Sequence, residues 1–235
     1  MAKQHDESVS ATRQRWLRDV RVFMRQDEES VSAKFDAEWG EVGPAHEACL
    51  NGFLERLPPR GRVLDAACGT GKYFDRVQPR GFNLVGIDYC AEHLRRAAHK
   101  FPGVQTELRA LHELEARAEF DGVMCVDAME MLPPEEWPVV LRNFARALKS
   151  RGWLYVTIER LRDDQLEAAT AEARLRGLPV VTGETVDAEG LYHFYPTLNE
   201  LGEWTREAGF RLAEELAEPW EAEGYAYHHM ILQLS

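Results

Sequence analysis

The sequence predicts one α/β domain on a doubly wound, largely parallel sheet, with a helical lead-in before it and an insertion late in the chain. Three observations predict it. Between residues 62 and 158, short apolar runs alternate strictly with stretches of helical spacing, the pattern of parallel strands joined by crossover helices. The first apolar run ends in a glycine-containing bend, DAACGTG (65–71). The second ends in an acid, Asp88, seventeen residues after Gly71.

The elements follow in order. Residues 1–57 form a helical lid or lead-in: 1–43 are polar with scattered aromatics (Trp16, Phe23, Phe35, Trp39), and a helix opens at Pro44, a residue suited to the first helical position. Ala45, Cys49, Leu50, Phe53, Leu54 and Leu57 share a face of that helix, and Pro58 and Pro59 stop it. The main domain, 58–235, starts with strand RVLDA (62–66), and a helix is expected to open near Gly71. Strands NLVGI (83–87), VQTEL (104–108), DGVMCV (121–126) and WLYVTI (153–158) follow, separated by helices carrying Leu94, Ala97 and Ala98, then Trp137, Val140, Leu141, Phe144 and Leu148. Pro138 is tolerable only in a first turn. Residues of about 161–196 read as a cap insertion: a charged, Ala-rich helix closed by Gly177, then an irregular or hairpin segment. Thr197 and Glu200 form a capping box for a helix that runs to Gly209. RLAEELAE and YAYHHMILQL read as an antiparallel pair joined through PWEAEG.

Composition narrows the function. With 28 Lys and Arg against 40 Asp and Glu, the net charge of −12 repels phosphate backbones and anionic lipid, so neither nucleic acid nor membrane is an expected partner. No apolar run approaches the roughly 18 residues of a membrane span. The N-terminus has no apolar central segment, and a cytoplasmic location is expected. Cys49, Cys68, Cys90 and Cys125 form no CxxC pair and no zinc-ligand spacing with histidine, so they read as small buried thiols, with neither a metal nor disulfides expected.

The glycine bend is the informative motif. Gly69 and Gly71 admit backbone angles closed to other residues and let a ligand approach the main chain. Asp65 either anchors the loop or accepts a bond from the ligand. Asp88 stands where α/β nucleotide folds place an acid on ribose hydroxyls. A dinucleotide GxGxxG would need a small residue at 74, where Phe74 stands, and a P-loop fails at Ala66 and Tyr73.

Strand–DAACGTG–helix followed at this distance by strand–Asp88 resembles the class I S-adenosylmethionine-dependent methyltransferases, over roughly residues 45–235. VLDAACGTG is similar to the family's first motif, LVGIDYCAEHL to its second, and FDGVMCVDAMEML to the segment around its fourth strand. The resemblance implies a Rossmann-like seven-stranded sheet with its last strand antiparallel, and S-adenosylmethionine as cofactor. It implies that Asp65, Ala67, Gly69, Thr70 and Gly71 surround the methionine part and that Asp88 holds the ribose hydroxyls. Tyr89 and His93 would lie along the adenine, with the backbone of Ala110 and Leu111 at its edge, and Val126 and Asp127 would face the methionine amino group. Family members commonly carry Asp near position 110, where this chain has Ala.

The acceptor site is expected beyond the strand ends that carry the glycine loop. The candidate general bases are His193, Glu130, Asp127 and Glu159; His193 in LYHFYP is the first choice, because imidazole titrates near working pH, with packing inside the cap as its alternative reading. Glu130, Met131, Glu159, Tyr192, Tyr195 and Trp39 are candidate substrate contacts, and Phe35 and His46 are further lid residues. Leu132-Pro133-Pro134-Glu135 lacks the flanks of the [DNS]PP[YFW] motif of amino-methylating nucleic-acid enzymes. The expectation is methyl transfer to an oxygen or nitrogen of a small-molecule metabolite, and a homodimer is compatible with it. The alternatives are a nicotinamide oxidoreductase on the same sheet and a cofactor-binding module without catalysis.

Overall fold

The computed structural model describes residues 2–218 and 225–235, the side chains of residues 2–10 and of Tyr225 excepted. The expected PWEAEG connection lies outside the described residues. In chain order the elements are α1 (Ala2–Val31), α2 (Phe35–Trp39), α3 (Pro44–Glu55), β1 (Arg62–Ala66), α4 (Phe74–Val77), β2 (Asn83–Asp88), α5 (Ala91–Lys100), β3 (Gln105–Leu108), β4 (Phe120–Cys125) and α6 (Trp137–Ala147). Then come β5 (Leu148–Leu161), α7 (Asp163–Leu175), β6 (Glu184–Val186), β7 (Tyr192–Phe194), α8 (Leu198–Glu207), β8 (Phe210–Ala217) and β9 (Tyr225–Leu234).

Seven strands form one sheet in the order β3-β2-β1-β4-β5-β9-β8. β1 through β5 pair in parallel, and β9 runs antiparallel to both β5 and β8. The expected doubly wound sheet with an antiparallel last strand is therefore present. Alternation along the strands feeds two cores. Val63, Met124 and Tyr155 pack against α3, α4 and α5, while Leu64, Val123, Leu154 and Val156 pack against α6 and α8. Gly122 is what lets α3 come close: a Cβ there would lie 2.6 Å from the Phe53 ring.

Two details differ from the sequence expectation. The helix after the glycine bend starts at Phe74 rather than near Gly71 and lasts one turn, giving way to a 3-10 turn at Gln78–Arg80. Pro79, with no amide hydrogen, cannot carry the α-helical ladder onward. Strand β5 is longer than 153–158. Its far end pairs residue by residue with β9 from Trp153↔Gln233 to Leu161↔Tyr225, and its start pairs with β4 through an irregularity between Phe120 and Gly122.

The cap holds the expected helix, α7, and hairpin, β6–β7, whose strands pair from Glu184↔Phe194 to Val186↔Tyr192. The Thr197–Glu200 capping box forms at the start of α8, where Thr197 Oγ1 accepts from the Glu200 amide at 3.2 Å. The lead-in holds α1, α2 and α3, of which α1 is a 30-residue helix about 45 Å long. It is tied to the cap by Arg13, whose guanidinium gives bonds of 2.8 Å to both carboxylate oxygens of the buried Glu184.

Candidate active site

Sheet order reverses between β1 and β4, and the crevice beyond their carboxyl ends is where ligands enter open α/β sheets. A cavity of about 150 Å³ lies there. The glycine bend forms its floor: Ala67, Gly69 and Gly71 take positive φ angles of 66°, 51° and 84°, turning the chain sharply. The Gly69 amide donates to Asp88 Oδ2 at 2.8 Å and the Cys90 amide to Asp88 Oδ1 at 2.8 Å, so two elements hold this carboxylate at the cavity. Burial raises the Asp88 carboxyl despite these amides. Asp65 lies beside it, fully enclosed. Burial, then Asp88, push its carboxyl up to about 8, and its Oδ2 has no hydrogen-bond partner in the protein. An unsatisfied acid beside this bend suits a ligand that brings a cationic group. The bend, Asp88 and the apolar Leu111 thus fit a nucleoside with a charged amino-acid tail.

α1 roofs this cavity. Leu17, Val20, Arg21, Met24, Arg25 and Glu28 all line it, at the three- and four-residue spacing of one helix face. Arg25 lies over the Tyr89 ring, 5.6 Å from its centroid. Glu28 Oε2 is 3.4 Å from His93 Nε2. Burial, then Asp88 and Asp27, push the Glu28 carboxyl up to about 7. Arg21 pairs with Glu136. Downstream, the Phe35 ring sits 3.6 Å from where a Cβ on Gly69 would be, and Thr70 donates its hydroxyl to Asp36, which also accepts from Lys100 at 2.7 Å.

At the other end of the cavity stands Asp127, just beyond β4, with a positive φ of 53°. Its strained backbone is over-determined by its bonds. Its amide donates to Thr157 Oγ1 at 2.8 Å, its Oδ1 accepts from His46 Nε2 at 3.2 Å and its Oδ2 from Lys72 Nζ at 3.2 Å. Burial alone would raise this carboxyl, but the bond from His46 and the charge of Lys72 outweigh it and hold it below the usual range. Behind it a polar chain continues. His46 Nδ1 lies 3.8 Å from Glu218 Oε1, which is 2.7 Å from His229 Nε2, and His229 Nδ1 is 3.0 Å from the Tyr155 hydroxyl. Glu159 is pushed up to about 7 by burial, then by Asp127. Glu130 is driven well above its usual range by burial, then by Glu159 and Asp127.

The structure brings many of the sequence candidates together. Ala67, Gly69, Asp88, Tyr89, His93, Ala110, Leu111, Asp127 and Met131 line the cavity. Thr70 and Val126 are buried beside it. Others lie apart. Tyr192 and Phe194 point into the core, so the two-residue period of β7 turns His193 to the opposite side, where its ring stacks on Tyr195 at 6.0 Å. Tyr195 lines a second cleft with Arg160, Leu161 and Asn199. The Tyr192 hydroxyl donates to Glu184 at 2.6 Å, inside the cap. Trp39 is 49% exposed. The sequence reading did not single out Lys72, Tyr155, Glu218 or His229 at the transfer end, or the lining face of α1. The Leu17–Val20–Met24 spacing was the available signal for that face.

Comparison with known proteins places this geometry. A family described as a methyltransferase domain matches residues 45–215. YqeM of Bacillus subtilis is 34% identical over a stretch covering 42% of this chain and 42% of that protein. The ubiquinone biosynthesis O-methyltransferase of Pseudomonas aeruginosa is 30% identical over 77% of this chain and 83% of its own. The chain thus spans less than half the length of the first relative and over four-fifths of the second. Among solved structures, the 1,6-didemethyltoxoflavin-N1-methyltransferase of Burkholderia thailandensis, crystallised with S-adenosylhomocysteine, superposes with a TM-score of 0.71 over 93% of this chain and 90% of that one. At 18% identity this is a likeness of fold.

Proposed function

This chain belongs to the methyltransferase-domain family, and we propose from that premise that it transfers a methyl group from S-adenosylmethionine to a hydroxyl oxygen of a small molecule. When bound, the cofactor supplies a methyl group already activated on a sulfonium sulfur. The protein's own work is then to bind, orient, exclude water and handle one proton.

The donor end does the binding. Asp88, held by the Gly69 and Cys90 amides, offers its remaining lone pairs to the ribose hydroxyls. The side chains of Asp65 and Glu28, each with a buried oxygen that accepts no hydrogen bond, favour a cationic ligand. The α1 roof excludes water. A dinucleotide is disfavoured because Phe74, wholly buried, packs against Gly71 and Gly86. Its ring would be 2.9 Å and 2.7 Å from Cβ atoms built there, and that bulk fills the place where a third small residue is needed.

The observation that carries the oxygen reading is that Asp127 belongs to two structures at once. It lines the donor cavity, and it accepts from His46 Nε2. A carboxylate there fixes the tautomer that leaves His46 Nδ1 with its lone pair. An acceptor amine needs no such group, whereas a hydroxyl must lose its proton. The O-methyltransferase name of the Pseudomonas relative supports the same choice.

The test is incubation of the purified protein with methyl-labelled cofactor and a panel of small hydroxyl, amine and thiol acceptors, beside tRNA and protein fractions. Label on a small-molecule oxygen is the expected result. Label confined to macromolecules, or to nitrogen acceptors, would remove the reading.

A further inference from the structure

Two imidazoles and a carboxylate converge behind Asp127. His46 from α3, Glu218 just after β8 and His229 from β9 each present a donor atom, all within 4.8 Å of one another. Both histidines are buried. We propose that these three side chains form a binding site for a divalent first-row transition ion, zinc being the reference case. The site rests on this geometry alone; its use in methyl transfer rests on the function proposed above, and with an ion bound His46 Nδ1 would be its ligand, the ion rather than the free imidazole making a held hydroxyl acidic.

The argument lies in the nitrogens that face away from the cluster. A metal-bound histidine nearly always gives its second nitrogen to a carboxylate, a carbonyl or another polar partner, which fixes tautomer and ring orientation. Here His46 presents Nδ1 to Glu218 while its Nε2 is engaged by Asp127 Oδ1 at 3.2 Å. His229 presents Nε2 to Glu218 while its Nδ1 is engaged by the Tyr155 hydroxyl at 3.0 Å. A tyrosine hydroxyl can donate or accept, so Tyr155 serves either tautomer of His229, including the one whose Nε2 carries a lone pair. Asp127 is itself steadied by Lys72.

The spacings need little adjustment. Tetrahedral donors about 2.0 Å from zinc lie about 3.3 Å apart. The Glu218–His229 pair is closer than this at 2.7 Å and the Glu218–His46 pair is farther at 3.8 Å. The two imidazole nitrogens lie within 4.8 Å of each other, so an ion between the three requires side-chain shifts of up to about 1.5 Å. Three protein ligands leave a coordination position open, as catalytic rather than structural sites do. The open position belongs to a site joined through His46 to Asp127, and so to the donor cavity. The chain's four cysteines take no part: all are buried and free of disulfides.

The experiment is calorimetric titration of metal-stripped full-length protein with zinc chloride, repeated with cobalt chloride for its visible absorption. Uptake of one equivalent is expected, weakened by a hundredfold or more in Glu218→Gln and in His46→Ala/His229→Ala, and by about 10–100-fold in Asp127→Asn. The cobalt absorption should vanish in the same variants. S-adenosylhomocysteine binding, measured on the unaltered protein, separates the two proposals, and circular dichroism with thermal unfolding reports whether each variant is folded. Normal binding of that compound with no zinc uptake by the unaltered protein overturns the metal site and leaves the methyltransferase reading standing. Zinc uptake without binding of that compound supports the metal site and overturns the methyltransferase reading. Zinc uptake unchanged in Glu218→Gln and in the double variant places the ion elsewhere and overturns the site.

Discussion

The two ends of the cavity are built in different ways. The donor end is largely local: Ala67, Gly69, Asp88, Tyr89, Ala110 and Leu111 stand at the ends of three successive strands, β1, β2 and β3, and the backbone does much of the work. The transfer end is assembled from far-separated segments, with His46 from α3, Asp127 after β4, Tyr155 from β5, Glu218 after β8 and His229 from β9. There the side chains do the work and the sheet supplies only register. A binding surface made from one contiguous stretch can be carried from protein to protein as a motif. A proton- or metal-handling cluster drawn from five elements can be rebuilt in each one. The contrast fits a shared donor and divergent acceptors.

The sharpest way to break this comparison is to disable one end alone. His46 does not line the donor cavity, so His46→Ala should lower kcat by about 10²–10⁴-fold, the range for lost acid–base assistance. Binding of S-adenosylhomocysteine should fall far less, because Asp127 loses only its bond from His46 and keeps those to Thr157 and Lys72. Parallel loss of both would show that the two ends are one unit. Next in size is Arg13→Ala. It leaves the buried Glu184 without its bidentate partner, and breaking such a pair costs about 3–5 kcal/mol. Hydrogen exchange should show α1 losing protection while β1, β4 and β5 keep theirs. Uniform loss across the sheet would mean that the roof is part of the core. Asp88→Ala follows, with cofactor affinity falling by about 1.5–3 kcal/mol by calorimetry, the scale of charge-assisted hydrogen bonds. Unchanged affinity would remove Asp88 from the site.

Legibility followed the same divide. The alternating sheet, the glycine bend and Asp88 could all be read from the chain, because strand alternation, positive-φ glycines and a strand-end acid are local signals, whereas the antiparallel last strand came from the family resemblance. A helical lid over 1–57 was expected, but not the face of α1 that lines the cavity, since Leu17, Val20 and Met24 are embedded among charged neighbours, and a helix that covers a cavity needs only a narrow apolar stripe. His46 was within reach as a lid residue. Its partners were not: His228 and His229 are adjacent in sequence, and only the register of β9 decides that His228 meets Glu215 while His229 meets Glu218. His193 shows the converse. A histidine between two aromatics is conspicuous in sequence, yet the hairpin aims Tyr192 and Phe194 inward and His193 away from them.

The smallest expected effect bears on how the roof is held. Glu28 packs beside His93, and burial, then Asp88 and Asp27, raise its carboxyl from the ordinary 4.5 to about 7. A carboxyl whose folded value is raised binds its proton more tightly in the closed protein than when exposed. Its contribution to closure is therefore complete below pH about 4.5 and is lost as pH rises through about 7. The α1 roof should loosen over that interval, seen as faster hydrogen exchange in the last turns of α1 at pH 8 than at pH 6 after correction for intrinsic rates. Glu28→Gln keeps the shape and removes the charge, so its α1 protection should be flat over the same interval and should match the unaltered protein at the acid end. A cationic ligand adds a second prediction of opposite sign. With the ligand bound, the ionised carboxylate acquires a partner charge, so the loosening should shift to higher pH or disappear. Exchange in α1 that follows the same pH profile with and without S-adenosylmethionine would mean that Glu28 does not sense what lies beneath the roof.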